Sequence, residues 1–254
     1  MHIIALANQK GGVGKTTTTI NLGTYLAKQG NKVLIVDLDP QGNTTSGLGI
    51  DRKTVTKDLY HVLLDEITIE KVMIKTPYHG MMLVPASPVL AAAEVELVSK
   101  PAREFKLKRA LRDLDYDYIL IDCPPSLGLL TINGLTAATS VIIPVQAEYY
   151  ALEGLGQLIT TIGRVRQGLN PTLDILGVVL TMHNGRTTLS AQVQDEVKRH
   201  FGDKVFETII PRNVRLAEAP SFGQPISHFD KWSKGAKGYK ELALEVAARS
   251  GGKV

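Results

Sequence analysis

A run of small and cationic residues, Asn8-Gln9-Lys10-Gly11-Gly12-Val13-Gly14-Lys15-Thr16-Thr17, separates a strand-like segment, Ile3 to Ala7, from a helical pattern that continues to Gln29. No other feature limits the fold so sharply, because a strand that turns through glycines into a helix start is the context of a phosphate cradle. Gly11, Gly12 and Gly14 can take backbone angles closed to other residues, so successive N–H groups can point into one concavity. The positive end of the helix dipole adds to that field. Lys15 would bring a point charge to the β- and γ-phosphates, and the Thr16 hydroxyl can ligate a magnesium ion bridging them. The spacing departs from the common pattern G-x-x-x-x-G-K-[ST]. Gln9 holds the place of its first glycine, and a second lysine, Lys10, stands at the mouth of the loop.

Short β-branched runs alternate with helical patterns along the whole chain. The expected strands are Ile3 to Ala7, Lys32 to Val36, Met82 to Pro85, Tyr118 to Asp122, Ser140 to Pro144, Ile175 to Leu180 and Glu207 to Ile210. Val33-Leu34-Ile35-Val36 and Ile119-Leu120-Ile121 are apolar on both faces of the pleat, as parallel strands covered by helices require. This pattern predicts an α/β fold, a doubly wound and mostly parallel sheet flanked by helices, in one domain over 1–254. Gly14 to Gln29 and Pro101 to Leu114 are long enough for crossover helices, with Gly30 placed to end the first. The tail, 249–254, is expected to fray.

Two further segments put acids where such sheets bind ligands, at the carboxyl ends of strands. Asp37-Leu38-Asp39-Pro40-Gln41-Gly42 follows the second strand, with Asp37 and Asp39 on one side of an extended segment. Their plainer role is to cap a loop or helix start. Ile119-Leu120-Ile121-Asp122 ends in an acid suited to hold Mg²⁺ through water, since magnesium keeps much of its hydration shell. Phosphoryl transfer needs positioning and charge neutralisation more than covalent help.

Composition removes several alternatives. Cys123 is the only cysteine among 254 residues, which excludes an internal disulfide and an all-cysteine metal cage within one chain. It reads as a small buried packing residue. No stretch is apolar enough for a membrane helix, and a soluble cytoplasmic protein is expected. The formal net charge is +4. Between His183 and Lys240 there are ten Lys/Arg against six Asp/Glu, while the remainder is balanced, so the excess lies in this C-terminal stretch. It is either a solvated basic face or a surface for a polyanion.

The run KGGVGKTT resembles the deviant Walker A box of the ParA/MinD group of P-loop ATPases. The segments Asp39-Pro40-Gln41-Gly42-Asn43, Cys123-Pro124-Pro125-Ser126-Leu127-Gly128, Pro144-Val145-Gln146 with Glu148 to Gly154, and Ile210 to Leu216 with Glu218-Ala219-Pro220 look like the short chromosomal ParA proteins, commonly called Soj. The resemblance covers nearly the whole chain. It implies ATP and Mg²⁺ as cofactors, with nucleotide contacts from Lys10, Gly11, Gly12, Val13, Gly14, Lys15, Thr16 and Thr17. Lys10 would reach the partner subunit's nucleotide, Asp39 would help to orient the attacking water, and Asp37 would support the metal shell beside Thr16 and Asp122. Pro211 and Asn213 would meet the adenine edge. Lys10, Lys15 and Asp39 are therefore the candidate catalytic residues.

The same resemblance implies an ATP-dependent homodimer that coats double-stranded DNA without sequence preference and a ParB-type partner that stimulates hydrolysis. Chromosome segregation on the nucleoid follows from that cycle. Arg186 and Arg215 match DNA-binding arginines, and Lys231, Lys234, Lys237 and Lys240 are candidates for the same patch. Where the family often has Pro-Arg after the aspartate, Asp230 is followed by Lys231-Trp232, and Trp232 is expected to pack as a surface aromatic. A second basic run, Lys100, Arg103, Lys106, Lys108, Arg109 and Arg112, is expected to be a solvated helix face, with an extension of the DNA footprint or a partner contact as the alternative. The strand-like run begins at once, so the helix-turn-helix extension of long plasmid ATPases is not expected. Tyr239 to Ser250 is expected to be a packing helix, not the membrane helix of MinD-type proteins. An alternative is a nucleotide-switched positioning or regulatory module, either MinD-like with its output on a membrane complex or acting on a replication initiator. A metabolic P-loop enzyme akin to dethiobiotin synthetase lacks an evident small-substrate constellation.

Overall fold

The computed structural model describes residues 1–148 and 153–251. Positions 149–152, part of the run from Glu148 to Gly154, and 252–254 of the tail lie outside the described residues. Among the described residues seven strands form one sheet in the order β3-β4-β2-β5-β1-β6-β7. They are β1 (His2–Leu6), β2 (Val33–Asp37), β3 (Ile74–Lys75), β4 (Met81–Val84), β5 (Tyr118–Asp122), β6 (Ser140–Gln146) and β7 (Asp174–Thr181). Every pairing is parallel except that of β3 with β4. β3 escapes sequence reading because two residues carry no periodicity.

All five residues of β2 and of β5 are buried, so both faces of the sheet are covered. Alternate residues feed two cores. On one face Leu34, Val36, Ile119 and Ile121 pack with Leu59, Leu90, Leu107, Leu130 and Leu158. These come from α3 (Leu59–Leu63), α4 (Leu90–Glu96), α5 (Lys106–Leu111), α6 (Leu129–Ala137) and α7 (Glu153–Gly168). On the other face Val33, Ile35, Tyr118 and Leu120 pack with Leu22 and Leu26 of α1 (Lys15–Lys28) and with Leu242 and Val246 of α11 (Lys234–Ser250). The Tyr239 and Thr18 hydroxyls, 3.1 Å apart and buried, join these two helices. The apolar stripe of α11 is thus spent on the sheet, and among the described residues no helix is long and apolar enough to cross a membrane. The remaining helices are α2 (Asn43–Gly47), α8 (Thr188–Phe201), α9 (Val214–Glu218) and α10 (Ile226–Phe229).

Four expectations need correction. Pro101 to Leu114 is not one helix: a 3₁₀ turn over Arg103–Phe105 precedes α5, after Ala102 at φ 50°. Lys106 of the basic run is buried and ion-paired with Asp65, so that run is only partly a solvated face. The C-terminus does not fray at 249–250, because α11 continues to Ser250, whose hydroxyl lies 3.0 Å from that of Tyr118. Glu207 to Ile210 is not a strand. The Glu207 and Thr208 N–H groups donate to the Glu245 carboxylate of α11 at 2.9 and 3.0 Å, which removes them from any ladder. Arg249 clamps the preceding turn through the carbonyls of Leu176, Lys204 and Val205.

The same clamp presses Phe206 onto β7, with the Arg249 guanidinium 4.3 Å from its ring centroid. Gly177 makes room for that ring, since a Cβ there would lie 2.4 Å from Phe206 Cε2. Gly177→Ala is therefore expected to destabilise the chain by about 1–3 kcal/mol. Urea unfolding followed by circular dichroism reads that loss, and an unchanged midpoint would refute this account of the packing.

Candidate functional site

β1 lies between β5 and β6, and its register sets Leu6 beside Asp122, which in turn pairs with Asp37 of β2. Three strand ends therefore open at one level, and the loop leaving β1 runs over them. Asn8 pins that loop: its side-chain amide donates to the Pro144 carbonyl at 2.7 Å and its Oδ1 accepts from the Lys10 N–H at 3.0 Å. Thr181 at the end of β7 anchors it again, donating to the Val13 carbonyl at 2.8 Å. Gly12 and Gly14 have φ of 75° and 89°, in the left-handed region that favours glycine, and Gly14 leads directly into α1. Lys15 folds back so that Nζ donates to the Lys10 carbonyl at 3.2 Å. Burial lowers the pKa of this ammonium, while the nearby Asp122, Cys123 and Asp39 act to raise it.

Asp122 is the focus of the polar contacts. Its Oδ2 accepts from the Thr16 and Thr44 hydroxyls, each at 2.7 Å, and its Oδ1 from Thr19 at 3.4 Å. Burial is the largest cause raising its pKa, opposed by the two short hydroxyl contacts and by Lys15. Asp37 is likewise raised by burial and then by the Asp122 charge. Its Oδ2 accepts from the Thr45 N–H and hydroxyl at 2.8 and 2.7 Å, and its Oδ1 from the Asp39 N–H at 3.3 Å. Asp37 thus holds the start of α2 and the turn that carries Asp39. Asp39 faces the phosphate loop across a cavity of about 560 Å³, lined by Gly11, Gly12, Lys15, Thr16 and Asp39 among others.

A second cavity of about 310 Å³ shares Gly14, Thr17 and Met182 with the first. Pro211, Asn213, Leu216 and Tyr239 line it, and most of its wall is apolar. Among the described residues Asn213 Oδ1 is buried there without a hydrogen-bond partner, a position that an amine donor on a heterocyclic base could fill. Met182, at φ 51°, stands between the two cavities. Sequence reasoning missed Met182, Thr44 and Thr181. Only Thr44, two residues beyond the Gly42 turn, carried any signal.

The residues present fit a magnesium ion. No cluster of three or more His, Cys, Asp or Glu is arranged for a metal among the described residues. One carboxylate with two hydroxyls beside a phosphate loop matches a cation that keeps several waters and takes ligands from phosphates.

Lys10 takes a different direction from Lys15. Its ammonium lies 3.9 Å from Glu148, about one-third exposed. Glu148 also accepts from Arg212 at 3.0 Å and from Gln146 at 2.7 Å. His183 pairs with Pro211, so the segments carrying Arg186 and Arg215 leave the sheet side by side. The Arg186 and Lys234 residues are exposed. Arg215 is engaged by Glu218 at 2.9 Å and Asp230 at 3.4 Å. Trp232 is not packed, contrary to expectation: it is 87% exposed.

A glycine loop entering a helix, a lysine folded over it and acids at the ends of two adjacent parallel strands define a P-loop nucleotide-binding protein with a second loop lysine. Comparison with known proteins agrees. A family described as an AAA domain matches residues 1–175. The sporulation initiation inhibitor protein Soj of Bacillus subtilis is 57% identical over 248 residues, covering 97% of this chain and 98% of that protein. The chromosome-partitioning ATPase Soj of Thermus thermophilus is 55% identical over 246 residues, covering 97% and 95%. A crystal structure of a Mycobacterium smegmatis protein named cobyrinic acid a,c-diamide synthase, with bound ATP analogue and magnesium, superposes with a TM-score of 0.86 at 42% identity, covering 100% and 98%. This chain belongs to the Soj/ParA family of chromosome-partitioning P-loop ATPases.

Asn213→Ala is expected to weaken ATP binding about tenfold, the worth of one hydrogen bond in a dry pocket. Titration with a fluorescent ATP analogue measures it, and equal affinities for ATP and GTP in the wild type would remove Asn213 from base recognition.

Proposed function

We propose that two copies of this chain close around two ATP molecules, hold duplex DNA without sequence preference while the nucleotide is intact, and let go on hydrolysis stimulated by a ParB-type partner. The protein is a magnesium-dependent ATPase, and its role in chromosome partitioning comes with its family. The cycle built on them would place it on the nucleoid. The name of the Mycobacterium structure points to amide synthesis, but identity to Soj is higher over the same span and favours partitioning.

One observation carries the reading: Lys10 turns away from the cavity that Lys15 serves and rests on an exposed acid. An exposed ion pair of this kind contributes about 0–1 kcal/mol, so leaving it costs little. A triphosphate presented by a second subunit is the stronger partner, which couples ATP binding to dimer formation.

Within each subunit the loop N–H groups from Gly11 to Thr17, including Val13, cradle the phosphates, and Pro211 and Asn213 hold the adenine edge. Lys15 neutralises charge at the β- and γ-phosphates. Thr16 and Asp122 would hold magnesium, the carboxylate through water, and the bound ion would supply further neutralisation of the transferred group. Asp39 orients the attacking water, and Asp37 supports the shell by fixing the turn that presents Asp39. Arg186, Arg215 and Lys234 supply cations to DNA phosphates, where counterion release favours binding without reading sequence.

Two outcomes test the cycle. Lys10→Ala should still bind ATP yet sediment as a monomer with ATP and magnesium, and a Lys10→Ala dimer as stable as the wild type would overturn the proposed coupling. Asp39→Ala should lower DNA-stimulated phosphate release at least tenfold and leave the dimer retained on DNA. Wild-type turnover in that variant would sink the role given to Asp39.

A further inference from the structure

We propose that Trp232 is a direct contact to duplex DNA, an apolar wedge set among cations, which adds to the grip a component that salt does not screen. The inference rests on the DNA-binding reading above and extends it to a residue outside the resemblance. An indole left 87% exposed forgoes the burial that usually holds tryptophan inside a protein or an interface. Here its exposure is built in. The Trp232 N–H donates to Asp230 Oδ1 at 3.2 Å, and the Ser233 N–H and hydroxyl both donate to the Asp230 carbonyl, at 3.2 and 2.9 Å. Ser233 in turn caps α11 by accepting from the Ala236 N–H at 3.1 Å. The turn is tied at both ends, so the backbone that carries the ring is fixed with the indole on its solvent side.

The surroundings state what the ring would meet. The Lys231 ammonium lies 5.1 Å from the indole centroid. Lys28 reaches the same region, donating to the Ser227 carbonyl at 3.3 Å. Asp230, which anchors Trp232, also sits 3.4 Å from the Arg215 Nε, so the indole and the candidate DNA arginine are placed by one side chain. The Arg215 guanidinium lies 5.9 Å from the Phe229 ring, which stacks on the exposed Phe222. Two acids, Glu218 and Asp230, face Arg215 and orient it, while Lys28, Lys231 and Lys234 have no acidic partner within 4 Å among the described residues. An exposed indole beside a lysine that has no acidic partner, on a turn shared with a candidate DNA arginine, matches a duplex, whose phosphates take the charges while an apolar side chain enters a groove between base steps.

Trp232 is the only tryptophan in the chain, so its fluorescence reports this site alone. The full-length protein, loaded with a non-hydrolysable ATP analogue and magnesium, is titrated with a mixed-sequence duplex, with one of its strands, and with phosphatidylglycerol vesicles. Anisotropy of a labelled duplex is followed in parallel. The duplex is expected to change Trp232 emission and shield it from acrylamide. Trp232→Ala should weaken duplex binding about tenfold at every salt concentration with the slope of log K against log salt unchanged, and Trp232→Phe should recover part of the loss. Lys231→Ala should instead reduce that slope by about one. If the duplex binds while Trp232 stays accessible and Trp232→Ala binds as the wild type does, the wedge is refuted and the DNA-binding reading stands. If the duplex does not bind at all, both fall. Shielding by the single strand alone, or by vesicles alone, overturns the assignment to duplex DNA.

Discussion

Two carboxylates, Asp37 and Asp122, stand side by side at the ends of adjacent strands with almost no access to water, and much of the nucleotide-binding end is organised around that charge. Neighbouring buried acids repel one another and lose hydration, so each needs donors close at hand. Thr16, Thr44 and Thr45 provide them, and in doing so they tie α1 and α2 to the same point. The strong field at Asp122 suits a hydrated cation, and Lys15 sits at its edge. Thus the constraint that makes this end of the sheet costly to bury is also what prepares it for a metal-bound triphosphate.

The two loop lysines divide the work by where the backbone sends them. Lys15 begins α1 and curls back over its own loop, donating to the Lys10 carbonyl. Lys10 precedes the glycines and points outward to Glu148, a surface acid that it shares with Arg212. Because Arg212 adjoins Pro211 and Asn213 at the second cavity, the segment lining that cavity is linked to the acid that holds Lys10. In the proposed cycle, filling the pocket and freeing the lysine would involve the same few residues.

Much of the phosphate site was legible because it depends on local chemistry. Glycines, a lysine and a threonine at fixed spacing after a strand have few alternatives, and the acids at strand ends follow from the sheet rule. The periodicity of Val33 to Val36 and Ile119 to Ile121 likewise announced buried parallel strands. What escaped depends on distant partners. Glu207 to Ile210 has a strand's composition, but Glu245 of α11, distant in sequence, captures the Glu207 and Thr208 N–H groups, and the segment meets β7 only where the Ile210 N–H donates to the Leu180 carbonyl. Lys106 belongs to a basic run by sequence, yet its side chain is buried and reaches out to pair with the exposed Asp65. Met182 has no motif, and its place between the two cavities arises from where β7 ends.

By itself the sequence determined the class of fold, the phosphate loop and the acids that answer it, since these follow from backbone angles, alternation and charge within short segments. Only the tertiary structure decided that Asp37 supports while Asp39 faces the cavity, that Lys10 rests on Glu148, and that Trp232 is held in water. Those outcomes depend on which side chains meet across the sheet and around its end, and residues far apart in the chain settle them through hydrogen bonds and burial that no local pattern encodes.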